Sequence, residues 1–197
     1  MRLAIVQPPL RLILLVAFGL GTAAARQANI PAAAPPPAGP ILKLTVVGFS
    51  DGGPIAKKYT CQGSSSSPQL QWSNVPKGTA SFVVVLHGPD NHPAKGSTDE
   101  MFWVLWNVPA NATELPEGLP ANSLLPDGSM QAKGGRNVVG YRAACPPPGS
   151  GAHHYIFELY AVDQKLDLTP DASRVDVMKA IDGHVIGASS YVGVFQD

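Results

Sequence analysis

Residues 41–197 predict a mainly β fold of two packed antiparallel sheets with a helix near the C-terminus. Short apolar runs rich in β-branched and aromatic residues recur at strand length. Clusters of Pro, Gly, Ser and Asn separate them, and only one segment carries a helical period. Strands joined by such loops, without intervening helices, make a sandwich the economical way to bury one face of each sheet.

From Ile41 to Phe49 the chain partly alternates, with Leu42, Leu44 and Val46 set against Lys43 and Thr45, as a half-buried strand does. Ser50-Asp51-Gly52-Gly53-Pro54 is a turn. Leu70-Gln71-Trp72 lies between Ser/Pro-rich and Asn/Pro-rich breakers. Ser81-Phe82-Val83-Val84-Val85-Leu86 is almost wholly apolar and reads as a central strand covered on both faces. Phe102 to Val108, stopped by Pro109, and Tyr155 to Val162 are two more strands. Ser173 and Asp176 have capping-box spacing, and Val175, Val177, Met178, Ile181 and Val185 follow at helical intervals, which predicts a helix over about 173–187. Ser189 to Phe195 returns to a strand pattern.

Ahead of this domain, residues 1–25 read as an export signal: Arg2 and Arg11 precede or flank the apolar stretch Leu12–Leu20, and Ala23-Ala24-Ala25 offers a cleavage site. The alternative is an uncleaved anchor, although the apolar run is short of the roughly 20 residues a span needs. Residues 26–40 are Pro/Ala-rich, with Pro35-Pro36-Pro37 at their centre, and read as a semi-extended tether. The expected organisation is therefore signal (1–25), linker (26–40) and one domain (41–197), periplasmic or secreted, with no stable membrane span after signal removal.

The chain carries 14 basic and 14 acidic residues, and removing Arg2 and Arg11 leaves 12 against 14, a net charge of −2. With no basic cluster, nucleic acid is not an expected partner. Cys61 and Cys145 are the only cysteines, and an exported context favours one disulfide between them over two buried thiols.

The most chemically suggestive stretch is Cys145-Pro146-Pro147-Pro148-Gly149-Ser150-Gly151-Ala152-His153-His154-Tyr155. Its prolines exclude a helix, its glycines permit a tight turn, and it delivers imidazole to the start of a strand, as one wall of a small pocket would. A metal site is not expected from the histidines, because adjacent His153 and His154 on a strand point to opposite faces. No cofactor is expected either, and there is no Gly-x-Ser-x-Gly elbow or His-Glu-x-x-His pair.

An ordered set of landmarks resembles the phosphatidylethanolamine-binding proteins, in particular their bacterial, Raf-kinase-inhibitor-like branch. They are Phe49-Ser50-Asp51-Gly52-Gly53-Pro54-Ile55, Lys58-Tyr59-Thr60-Cys61-Gln62-Gly63, Ser67-Pro68-Gln69-Leu70-Gln71-Trp72, Trp103-Val104-Leu105-Trp106-Asn107-Val108-Pro109, Leu115-Pro116-Glu117-Gly118 and Tyr160-Ala161-Val162-Asp163. The resemblance implies a β-sandwich whose small pocket takes phosphate-like or carboxylate-like groups, including phospholipid head groups. Some members of the family act on protein partners, as kinase or peptidase inhibitors.

The pocket pattern is incomplete in this chain. Of the family's Asp-Pro-Asp-x-Pro segment, Asp90 matches the second acid and Gly88 replaces the first. Of its His-Trp pair, Phe102 replaces the histidine and Trp103 remains. Of its Gly-x-His-Arg segment, His153 remains and His154 replaces the arginine. The expected ligand-binding residues are Asp90, Phe102, Trp103, Pro147, His153 and Tyr155, with no catalytic residue. The reading is an exported, non-enzymatic protein with a narrowed, drier pocket for a small anionic ligand. The alternatives are a protein-interaction module and, less favoured, a hydrolase using His153.

Overall fold

The computed structural model describes residues 41–90, 99–134 and 137–197, so the expected signal and linker lie outside the described residues. In chain order the elements are β1 (Lys43–Val46), β2 (Gly53–Pro54), β3 (Leu70–Ser73), β4 (Ser81–Gly88), β5 (Glu100–Pro109), β6 (Glu114–Leu115), β7 (Met130–Gln131), β8 (His153–Val162), α1 (Arg174–Ile181) and β9 (Val185–Phe195), with a 3₁₀ turn at Lys57–Tyr59. Strands β1, β3 and β6 form one sheet in the order β1-β3-β6, and the rest form a second in the order β2-β9-β8-β4-β5-β7. Every pairing is antiparallel except β2 with β9.

Alternation decides what each strand buries. Leu44, Val46, Leu70, Trp72 and Leu115 from the small sheet meet Phe82, Val84, Leu86, Leu105, Phe157 and Leu159 from the large one, and this is the main core. The other face of the large sheet carries Val83, Val85, Val104 and Trp106, which pack with Leu166, Ala172 and the α1 residues Val177 and Ile181. This double covering is why all eight residues of β4 are buried and why its sequence does not alternate.

The helix begins where the sequence indicates. Ser173 Oγ accepts from the Asp176 backbone N–H, and Asp176 Oδ2 accepts from the Ser173 backbone N–H, closing a capping box. It ends earlier than the expected 187. Asp182 leaves helical geometry, Gly183 adopts φ +79°, and Val185 opens β9. The apolar spacing that implied two more turns belongs instead to a strand: Val185 pairs with Val162, and β9 runs 11 residues where 189–195 was expected. Val175, counted in the helical stripe, is exposed. Among the described residues no helix is long and apolar enough to cross a membrane.

Candidate functional site

The strand ends at which β4 stops and β8 starts carry most of the residues singled out by the sequence. The stiff loop before β8 is anchored first. Cys61 and Cys145 are joined by a disulfide with Cα atoms 5.4 Å apart. Beside it the Cys61 N–H donates to Ala144 O at 3.0 Å, and Tyr141 Oη donates to Tyr59 O at 2.6 Å. Burial pushes the Tyr141 phenol well above its ordinary value, so it stays a donor.

From this anchor the prolines lead into a tight turn. Pro148 and Gly149 occupy its centre, Gly149 at φ +76°, and the Ser150 N–H closes it onto Pro147 O at 3.1 Å. Proline followed by a positive-φ glycine is what a type II turn requires. Pro146 is buried, whereas Pro147 is exposed and contributes its carbonyl rather than its ring. The turn aims Ser150: its Oγ donates to Pro147 O at 2.7 Å and lies 2.9 Å from His153 Nε2.

His153 and His154 take opposite faces of β8, the first buried and the second exposed. Asp90 lies two residues past the end of β4. Its Oδ2 accepts the His154 backbone N–H at 2.6 Å and sits 2.8 Å from His154 Nδ1. That backbone bond, aided by the His154 side chain and the nearby His153, holds the Asp90 carboxyl below its ordinary 3.8, against a smaller opposing effect of burial. The histidine standing in place of the family arginine thus fastens the strand ends together.

Phe102 sits at a register shift between β4 and β5, where Leu86 opposes Trp103 and His87 opposes Met101. A bulge of this kind re-aims side chains beside a site. The Phe102 ring meets Tyr155 edge-on, with centroids 5.0 Å apart, and both residues are buried. Above the ring lies Arg142, its Cζ 3.9 Å from the centroid. The guanidinium pairs with Glu100 at 2.7 Å and donates to Met101 O at 3.2 Å. Arg142 was not legible as a site residue, since only the bulge and the returning 137–145 segment bring it over Phe102. Ser150 was more accessible, as the residue that follows a Pro-Gly turn centre.

Trp103 belongs, with Phe102 and Tyr155, to the core cluster between the sheets. Its indole N–H donates to Gln131 Oε1 at 2.7 Å, and its ring meets Tyr141 edge-on. His87 lies on the helix-bearing face of the large sheet, with Nδ1 2.5 Å from Asp99 and Nε2 3.4 Å from Glu158. His92 lies outside the described residues. Among the described residues no three His, Cys, Asp or Glu side chains gather as a metal site. Two shallow depressions of about 340 and 250 Å³ lie on outer sheet faces, lined by Lys43, Gln71 and Glu114 and by Glu158, Tyr160 and Ser190. Neither includes Asp90, Phe102 or His153.

The geometry defines a single β-sandwich with a histidine-bearing loop gathered at one end. Residues 46–196 match the family described as phosphatidylethanolamine-binding protein, and the chain belongs to that family. A UPF0098 protein of Methanothermobacter thermautotrophicus is 41% identical over 155 residues, which cover 79% of this chain and 99% of that protein. LppC of Mycobacterium tuberculosis is 34% identical over 170 residues, 85% of this chain and 79% of its own length. The crystal structure of CT736 from Chlamydia trachomatis superposes with a TM-score of 0.72 at 30% identity, covering 80% of this chain and 98% of that one.

Proposed function

We propose that this chain is an exported, non-enzymatic binding protein whose ligand is a small oxyanion: phosphate, a carboxylate or a phospholipid head group. The observation that carries the reading is His153, buried at the start of β8 with Nε2 2.9 Å from the Ser150 hydroxyl oxygen. An imidazole so placed can offer N–H to a ligand oxygen. Tyr155 follows on the same face of β8 with Phe102 edge-on against it, the Pro147–Ser150 turn brings its hydroxyl to His153, and Asp90 acts through the strand-end bond to His154. With Phe102 in place of an imidazole and Gly88 in place of a carboxylate, the site has fewer polar partners than the family pattern and binds weakly.

Proton bookkeeping supports binding over hydrolysis. Ser150 and His153 are as close as a nucleophile and its base, but the single hydroxyl hydrogen of Ser150 goes to Pro147 O. The imidazole is then donor to the serine instead of acceptor from it, the reverse of an activated pair.

Export rests on the N-terminal pattern of residues 1–25 and on the disulfide, which persists in oxidising compartments. LppC carries the name of a lipoprotein, which fits an exported family branch. Lipidation itself is not carried over, because the first cysteine of this chain is Cys61, inside the folded domain. Cell fractionation with N-terminal sequencing of the mature protein tests export, with a new N-terminus near residue 26 expected and an intact Met1 in the cytoplasm refuting it.

Calorimetric titration with phosphate, acetate and phosphoethanolamine tests the ligand class. Weak, saturable binding that His153→Ala abolishes, with the circular-dichroism spectrum unchanged, is the expected result. Equal binding by both proteins, or none by the wild type, refutes it.

A further inference from the structure

We propose that Ser150 is a built-in stand-in for a ligand oxygen, a positioning residue that holds the His153 Nε2–H and has to be displaced before an oxyanion can bind. The inference rests on the reading of the site as an oxyanion site and deepens it by naming what guards the imidazole.

Three features converge on it. The turn is rigid: Pro148 fixes one φ, and Gly149 takes the positive φ that no other residue adopts as easily. Its closing bond from the Ser150 N–H to Pro147 O fixes where the serine side chain starts. Hydroxyl bookkeeping then assigns the donor. Pro147 O can only accept, so the 2.7 Å contact consumes the one hydrogen of Ser150. The 2.9 Å contact with His153 leaves the serine oxygen as acceptor and Nε2 as the protonated nitrogen. The Ser150 oxygen therefore meets Nε2 as a phosphate or carboxylate oxygen would, at ordinary hydrogen-bond length.

The arrangement discriminates. Ser150 has no hydrogen left for an incoming anion. A neutral hydroxyl is a weaker partner for an imidazole N–H than a charged oxygen. Charged oxyanions can displace it, whereas neutral hydroxyl or carbonyl ligands gain little by the exchange. The residue thus sets a threshold that favours charged ligands.

Two variants test this separately from the site reading. Ser150→Ala removes the stand-in oxygen. Gly149→Ala keeps the hydroxyl but strains the turn that aims it, and an added Cβ there meets nothing within 4 Å, so the effect is on backbone conformation alone. Phosphate and acetate affinity are measured by calorimetry on the full chain, and the protonation of His153 Nε2 is read from its ¹⁵N resonance. The latch predicts an Nε2-bound hydrogen in the wild type that exchanges faster with solvent in both variants. It also predicts phosphate and acetate affinity about 3- to 10-fold higher in both, the range of one neutral hydrogen bond. Unchanged or lower affinity in Ser150→Ala, with wild-type binding intact, overturns the latch and leaves the oxyanion site standing. A bare Nε2 in the wild type overturns it as well. No binding by the wild type or either variant overturns both the latch and the oxyanion site.

Discussion

Replacing Gln131 by methionine, which keeps the volume and removes the amide, isolates a polar connection on which the 120–131 segment depends. Gln131 is fully buried; its Oε1 accepts the Trp103 indole N–H at 2.7 Å, and its Nε2 donates to Pro120 O and Asn122 O, both at 2.8 Å. The three losses are unequal. Trp103 is fully buried, so its stranded N–H costs about 1–3 kcal/mol. Pro120 and Asn122 are exposed residues whose carbonyls can turn to water, so those bonds count about 0.5–1 kcal/mol each. The sum centres on about 3.5 kcal/mol, or a Tm lower by about 7–14 °C for a domain of this size. Guanidinium unfolding followed by tryptophan fluorescence measures it. Trp103→Phe in the same background supplies a double-mutant cycle with an expected coupling of about 1 kcal/mol. A loss below about 1 kcal/mol for Gln131→Met, or no coupling, would refute the account.

Other perturbations have equally definite outcomes. Changing both cysteines to serine opens a link of sequence separation 84 and should cost about 4.5 kcal/mol in the chain-entropy picture, seen as a lower denaturant midpoint. Asp90 has a depressed folded-state pKa, so its contribution is complete above the unfolded value near 3.8 and fades as pH falls through the lower folded value. Asp90→Asn should flatten the wild-type loss of stability across that acid window, and an unchanged pH profile would contradict the His154 bond as its cause. Phe102→His should raise phosphate affinity several-fold by returning a donor beside His153, while lowering stability through lost apolar burial in a residue 2% exposed. An affinity equal to wild type would count against Phe102 as the altered wall.

The strands were readable because burial writes itself into period. The apolar run at 81–86 became a strand covered on both faces, and the partial alternation near residue 44 became a half-buried one. The capping box fixed where α1 begins, but no local rule distinguished Val185 as a strand opener from Val185 as a helix face. The site was less legible. His153 could be placed from its motif, and the opposite facing of His154 from strand geometry. That Asp90 binds His154, that Arg142 caps Phe102 and that Gln131 answers Trp103 depend on which loop ends meet. Those are long-range partnerships across 64, 40 and 28 positions, and side-chain type alone does not specify them.

The bonds flanking the disulfide bear on how the protein matures. Cys61 N–H to Ala144 O and Tyr141 Oη to Tyr59 O dock the two cysteine-bearing segments without any help from sulfur. β3, β4 and β5 lie between these segments and β8 follows them, so the two bonds join parts of the chain that only the folded sandwich holds side by side. The loop before β8 is therefore tied to the 59–61 segment three times over, twice by hydrogen bonds that do not titrate with redox conditions and once by sulfur, which does.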